Sequence, residues 1–349
     1  MRSNLGILFT LCVAIILGMT ACEGDQGPLG PIGPQGPLGP MGENGAQNCI
    51  DCHGNSQLIA AKLFQWQHSV HATGGHFSRN TPTCAVCHTS QGFLERAATG
   101  ASSTAATIED PLPQNCYTCH QIHRTYTEAD WAFTQQEPVT LWVGGQTLDF
   151  GKANLCISCH QTRIYSPALL DPATGGTVNI TSSRYGPHYG PQGVMLAGLN
   201  GYEVAGPLPY ENSAHTLLLA NNVRHACIQC HMATAQGVAS GGHTFRVITE
   251  DSIINTAACV ECHIVAADVL ALVVDRQSQI ETRLEELRLL LVERGLLNGT
   301  TDLAILGSFE GHEAGALFNY KFVQDDFSRG VHNFKYANAL LVNSIAAMQ

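Results

Sequence analysis

Six copies of Cys-x-x-Cys-His run through the chain: Cys49/Cys52/His53, Cys84/Cys87/His88, Cys116/Cys119/His120, Cys156/Cys159/His160, Cys227/Cys230/His231 and Cys259/Cys262/His263. They use twelve of its 14 cysteines. The pattern is that of c-type haem attachment, in which two thiols bind the vinyl groups and the adjacent histidine ligates the iron. One copy alone also suits a redox dithiol or a zinc site. Six copies, each followed by His, argue against a zinc ribbon or a thioredoxin motif, and a disulfide scaffold leaves the histidines unexplained. Six covalent haems c are expected, with His53, His88, His120, His160, His231 and His263 as proximal ligands.

Composition agrees with an interior filled by something other than side chains. Charged residues make up 13% of the 349 and aromatics 7%, against a charged fraction of about 25% in average proteins. The formal charge of −11 makes nucleic acid and anionic membrane surfaces poor partners. The expected fold is mostly α with extensive coil and little strand, each motif opening or sitting on a short helix.

Ten histidines lie outside the motifs: His68, His71, His76, His123, His188, His215, His225, His243, His312 and His332. Six are needed if every iron has two histidines. Ser69-Val70-His71 and Ser213-Ala214-His215 share a Ser-x-His frame. His123 follows His120 by three residues, so on a helix it would face the same side and would serve a neighbouring haem. His188 stands in the long gap between the fourth and fifth motifs. His243 follows two glycines, and His332 precedes an apolar helix. The expected distal set is therefore His71, His123, His188, His215, His243 and His332. His76, in Gly74-Gly75-His76-Phe77, is the nearest substitute, and His68 competes with His71. His225 and His312, the latter in a Gly-rich loop, are not expected to be ligands.

The N-terminus carries its own signals. Arg2 precedes an apolar run from Leu5 to Leu17 that is short for a membrane span and suits a signal peptide, residues 1–21. Met19-Thr20-Ala21-Cys22 resembles a bacterial lipobox, which implies a lipidated Cys22. From Gly24 to Gly45 every third residue is Gly, with Pro after it in five successive triplets. Such a segment adopts polyproline II, alone or in a collagen triple helix, and at ~3.1 Å per residue spans roughly 70 Å. Residues 22–47 thus read as a lipidated cysteine and a collagen-like stalk, the monomeric spacer being preferred to a trimerising stem. The segment resembles stalks after the lipidated cysteine of some bacterial lipoproteins. The haem domain is assigned to residues 48–265.

Residues 266–349 contain no Cys. Leu270, Val273, Ile280, Leu284, Leu287 and Leu291 form a helical stripe over about 266–294, stopping at Gly295. A shorter helix is expected around 314–322 and another over 333–348. The stripe suits packing on the haem domain better than a dimeric coiled coil, because the periodic run is short.

The six motifs, Trp66 with Ser69-Val70-His71, Gly242-His243-Thr244-Phe245 and Gly330-Val331-His332-Asn333 together resemble multihaem cytochromes c. They are similar to the lineage of pentahaem nitrite reductase and octahaem hydroxylamine oxidoreductase. The resemblance implies a fold organised around stacked haems with a C-terminal helical segment. Its catalytic chemistry does not carry over: there is no Cys-x-x-Cys-Lys motif, and the chain has two haem motifs fewer than the octahaem enzyme.

A doubly ligated iron has no open position, so it transfers single electrons. The expected function is an electron conduit in an exported, membrane-anchored lipoprotein, on the outer membrane and facing the periplasm or the exterior, with redox proteins as partners. The alternative is an oxidoreductase with one five-coordinate haem acting on a small nitrogen or sulfur compound.

Overall fold

The computed structural model describes residue 53 and residues 57–217 and 226–349. The signal peptide, Cys22, the stalk, Cys49, Cys52 and His225 lie outside the described residues.

The first half is short helices joined by coil. α1 (Gln57–Gln67) leads into α2 (Val70–Thr73), whose cap is Ser69, its hydroxyl accepting from the N–H of Ala72. α3 (Pro82–His88) starts on Pro at its first position, where a missing N–H costs nothing. α4 (Ser90–Thr99) is capped by the Thr89 side chain and stopped by Gly100 at φ 71°. The turns α5 (Cys116–Cys119) and α6 (Asn154–Ile157) follow, with the hairpin β1 (Val139–Thr140) and β2 (Thr147–Leu148) between them. Then come β3 (Thr177–Ile180), α7 (Gln192–Ala197), α8 (Ala214–Leu217) and α9 (Ala226–His231).

Three longer helices close the chain. α10 (Ala266–Glu293) ends where Gly295 takes φ 74°. α11 (Gly311–Asp325) starts on a capping box between Glu310 and Glu313, and α12 (Phe334–Met348) on the Asn333 side chain. His312 is the second residue of α11, not part of a Gly-rich loop, because the capping box starts the helix just ahead of it. β4 (Gly307–Glu310) pairs antiparallel with β3, Thr177 opposite Glu310 and Ile180 opposite Gly307.

The core joins both halves. Phe318, Phe322, Tyr336, Leu340 and Leu341 are buried with Ile157, Val178, Ile180, Val194 and Met195. Each such side chain contributes roughly 1.5–3 kcal/mol by leaving water. The amide of Asn319 stitches the layers: it accepts from the N–H of Tyr202 at 2.8 Å and donates to the Tyr202 carbonyl and the Ser344 hydroxyl. On α10 only the later part of the expected stripe is buried. Ile280, Leu287 and Leu291 are covered, whereas Leu270 is 41% exposed and Val269 takes the buried position beside it.

Candidate functional site: histidines paired across the haem motifs

Four of the motifs are wrapped on a helical turn. The second motif ends α3, the third opens α5, and the fifth lies within α9. The fourth straddles the end of α6. The sixth departs from the expectation of a helix under every motif. It follows a 3₁₀ turn, Thr256–Ala258, and Cys259, Cys262 and His263 lie on non-helical turns. The reason is local: Val265 is extended and holds the start of α10 at Ala266, beyond the motif. The loop is closed instead by the Cys259 carbonyl, which accepts from the N–H of Cys262 at 3.0 Å and of His263 at 2.8 Å. In the third and fourth motifs too, the histidine N–H donates to the carbonyl of the first cysteine, at 2.9 and 3.0 Å.

None of the ten described motif cysteines is in a disulfide. Cys116, Cys230 and Cys262 are exposed. The others are half-buried. The thiols of Cys87 and Cys159 are in hydrogen-bonding contact, as are those of Cys156 and Cys227, so attachment points of the second, fourth and fifth motifs adjoin.

Every motif histidine faces a histidine from elsewhere in the chain. The ring centres are 5.9 Å apart for His53 and His123, 6.1 Å for His88 and His188, and 6.4 Å for His120 and His243. They are 6.3 Å apart for His160 and His71, 6.2 Å for His231 and His332, and 6.3 Å for His263 and His215. An imidazole nitrogen binds a transition metal at about 2 Å and its ring centre lies roughly 1 Å behind it, so two imidazoles on opposite faces of one metal have centres about 6 Å apart. The pairs fit a haem iron between them.

No protein-family model matches the chain. A "C-type polyheme cytochrome OmcB" from two strains of Geobacter sulfurreducens is 26% identical over 144 residues, 36% of this chain and 18% of that protein. A solved structure, that of the outer cell wall cytochrome OcwA, superposes with a TM-score of 0.52 at 19% identity, over 82% of this chain and 50% of that one. The homology and the shared fold support a multihaem cytochrome c. The chain spans less than a fifth of the curated relative and half of the solved structure.

Hydrogen bonds set the histidine tautomers. A carbonyl oxygen only accepts, so a ring nitrogen facing one must carry the proton. Nδ1 of His120 donates to the Trp131 carbonyl at 2.8 Å, His231 to Phe245 at 2.9 Å, and His215 to Val331 at 2.7 Å. Nδ1 of His160 meets Oε1 of Gln192 at 2.9 Å, while the amide nitrogen of Gln192 donates to the Tyr189 and Asp325 carbonyls. Nε2 is thereby left with its lone pair, as a metal ligand requires.

His332 differs in kind. Its Nδ1 lies 2.6 Å from Oδ1 of Asp326, whose side chain is 1% exposed. Burial lowers the pKa of this imidazole, and the Asp326 carboxylate overrides that and raises it. Elsewhere burial is decisive: it holds His71, His88, His188, His231 and His243 at about 4, so they are neutral at physiological pH. Around His188 the guanidiniums of Arg163, Arg79 and Arg184 add to the effect.

The remaining non-motif histidines divide. Nδ1 of His68 donates to the Phe64 carbonyl at 2.8 Å, and among the described residues its ring faces no motif histidine. His76 does face one: its ring centre is 6.0 Å from that of His88. His123 is not on a helix with His120. The helix ends at Cys119, His120 is extended and bridged to Phe133, and His123 has φ 61°. The turn aims His123 at His53 by a route that the helical argument does not describe. Two further residues carry no sequence signal. Arg96, 7% exposed, donates to Cys87 Sγ and to the Ser158 carbonyl and lies over Trp142, tying the second motif to the fourth. Gln192 ties His160 to the end of α11.

Proposed function

We propose that the chain holds six covalent haems c, each between two histidines, and passes electrons singly from a reduced donor protein to an oxidised acceptor protein. Bound haem supplies the Fe(III)/Fe(II) couple. The twelve motif cysteines would anchor it through thioether bonds. His53 with His123, His88 with His188, His120 with His243, His160 with His71, His231 with His332 and His263 with His215 would hold the irons in pairs. Backbone carbonyls orient His120, His231 and His215, Gln192 orients His160 and Asp326 orients His332, each holding the proton on Nδ1. The adjoining thiols of Cys87, Cys159, Cys156 and Cys227 favour short steps between the second, fourth and fifth sites.

The observation that carries this reading is the pairing of all six motif histidines with a histidine from another segment. Residues 1–47 extend the proposal to an exported protein, lipidated at Cys22 and held off the membrane by the Gly-x-y stalk. Among the described residues no helix is long and apolar enough to cross a membrane. The test is the purified mature protein. Its mass should exceed polypeptide plus lipid by six haems, and all six should be low-spin and indifferent to carbon monoxide. Four haems or fewer, or a native high-spin haem that turns over nitrite or hydroxylamine, would overturn it.

A further inference from the structure

The second motif is unlike the others. Among the described residues, His88 is the one motif histidine with two non-motif histidine rings at ligand-pair distance: His188 at 6.1 Å and His76 at 6.0 Å. The angles between ring planes are also close, 71° and 62°. Each ring is carried by a turn that needs a left-handed residue. His76 follows Gly75 at φ 66° and opens a 3₁₀ turn of three residues. His188 itself has φ 66° and follows Gly186 at φ 150°.

The two turns belong to different parts of the fold. His76 lies between α2 and α3, on the N-terminal side of the haem-binding segments. His188 lies in a loop fastened to the C-terminal helices: a Cβ at Gly186 would sit 3.1 Å from Lys321, and Gln192 donates to the Asp325 carbonyl at 2.9 Å.

Resting on the ligation proposed above, we infer that His76 and His188 are alternative distal ligands of the haem attached at Cys84 and Cys87. Exchange breaks one iron–nitrogen bond as the other forms, with no change of oxidation state and no added reactant. Either histidine would complete the same coordination, so exchange would pass the link between the N-terminal segment and the C-terminal helices.

The test uses the full haem-loaded protein with His76→Asn, His188→Asn and both together, with His243→Ala as the reference. Asn tolerates a positive φ, so the backbone at 188 is preserved. The readout is carbon monoxide bound per reduced protein, with the ferric high-spin EPR signal. Each single variant should bind none, the double variant one equivalent, and His243→Ala one equivalent. Low-spin EPR gives a second measurement that does not need the double variant to fold: each single variant should lose part of the wild-type low-spin envelope. One equivalent for His188→Asn alone, or for His76→Asn alone, overturns the inference by leaving a sole ligand, and so does a silent double variant. If wild type binds carbon monoxide, or His243→Ala does not, the six-pair ligation itself fails and the inference falls with it.

Discussion

Replacing Asp326 by Asn should raise the potential of one haem, that of the fifth motif, and leave five unchanged. The carboxylate lies 2.6 Å from Nδ1 of His332 and is almost wholly buried. In that geometry it draws the ring proton and makes Nε2 a stronger donor, which favours the more positive ferric iron. Removing its charge therefore favours the ferrous state, and the potential moves up. A hydrogen bond to a charged group is worth about 1 to 1.5 kcal/mol more than one to a neutral amide. A one-electron couple moves about 59 mV per tenfold change in equilibrium constant, so the shift should be about 40 to 65 mV if the oxidised iron feels the whole difference. Ser328 supports the carboxylate, donating its hydroxyl to Asp326 while accepting the His332 N–H at 3.1 Å. Ser328→Ala removes that donor, leaves the carboxylate a stronger acceptor for the ring proton, and should thus give a smaller shift of the opposite sign. The assay is spectroelectrochemical titration of wild type and variant at equal haem content. A component that stays in place or moves down, or six components that move together, would refute the reasoning.

Other expectations follow from the same geometry. Burial raises the Asp325 carboxyl to about 6, so the folded state binds a proton that the unfolded state has released. Stability then falls as pH rises from about 4 to about 6, and Asp325→Asn should recover up to about 3 kcal/mol at neutral pH, less toward acid, in thermal melts. Asn319→Ala leaves the Tyr202 backbone groups and the Ser344 hydroxyl without their partner and should cost about 2 to 3 kcal/mol in denaturant titration, with no change in haem count. Cys22→Ala should move the protein from the membrane fraction to the soluble fraction at unchanged haem content, and retention at the wild-type level would reject the anchor.

The six motifs were legible because they are local: two thiols and a histidine within a few residues need no knowledge of the fold. The backbone beneath them was less so, since Cys259 and Cys262 keep the motif spacing on turns where a helix was expected. The helices at the C-terminus were legible because the apolar stripe, Gly295 and Asn333 act within a few residues of themselves, whereas the Glu310/Glu313 capping box starts α11 ahead of the expected residue 314 and takes His312 into the helix. Half of the α10 stripe was not, because periodicity marks a face and tertiary packing decides how far along the helix that face is covered. The partner of each motif histidine was the least legible feature. Proximity in sequence points the wrong way: His71 shortly precedes the second motif and faces His160 of the fourth, while His215 precedes the fifth and faces His263 of the sixth. The reason is geometric. On the proposed ligation, the second histidine would have to reach past a broad, flat group held by the motif's own turn. The few residues just before that turn are too short a tether to pass around its edge, so the second histidine comes from a segment that the fold brings over from elsewhere.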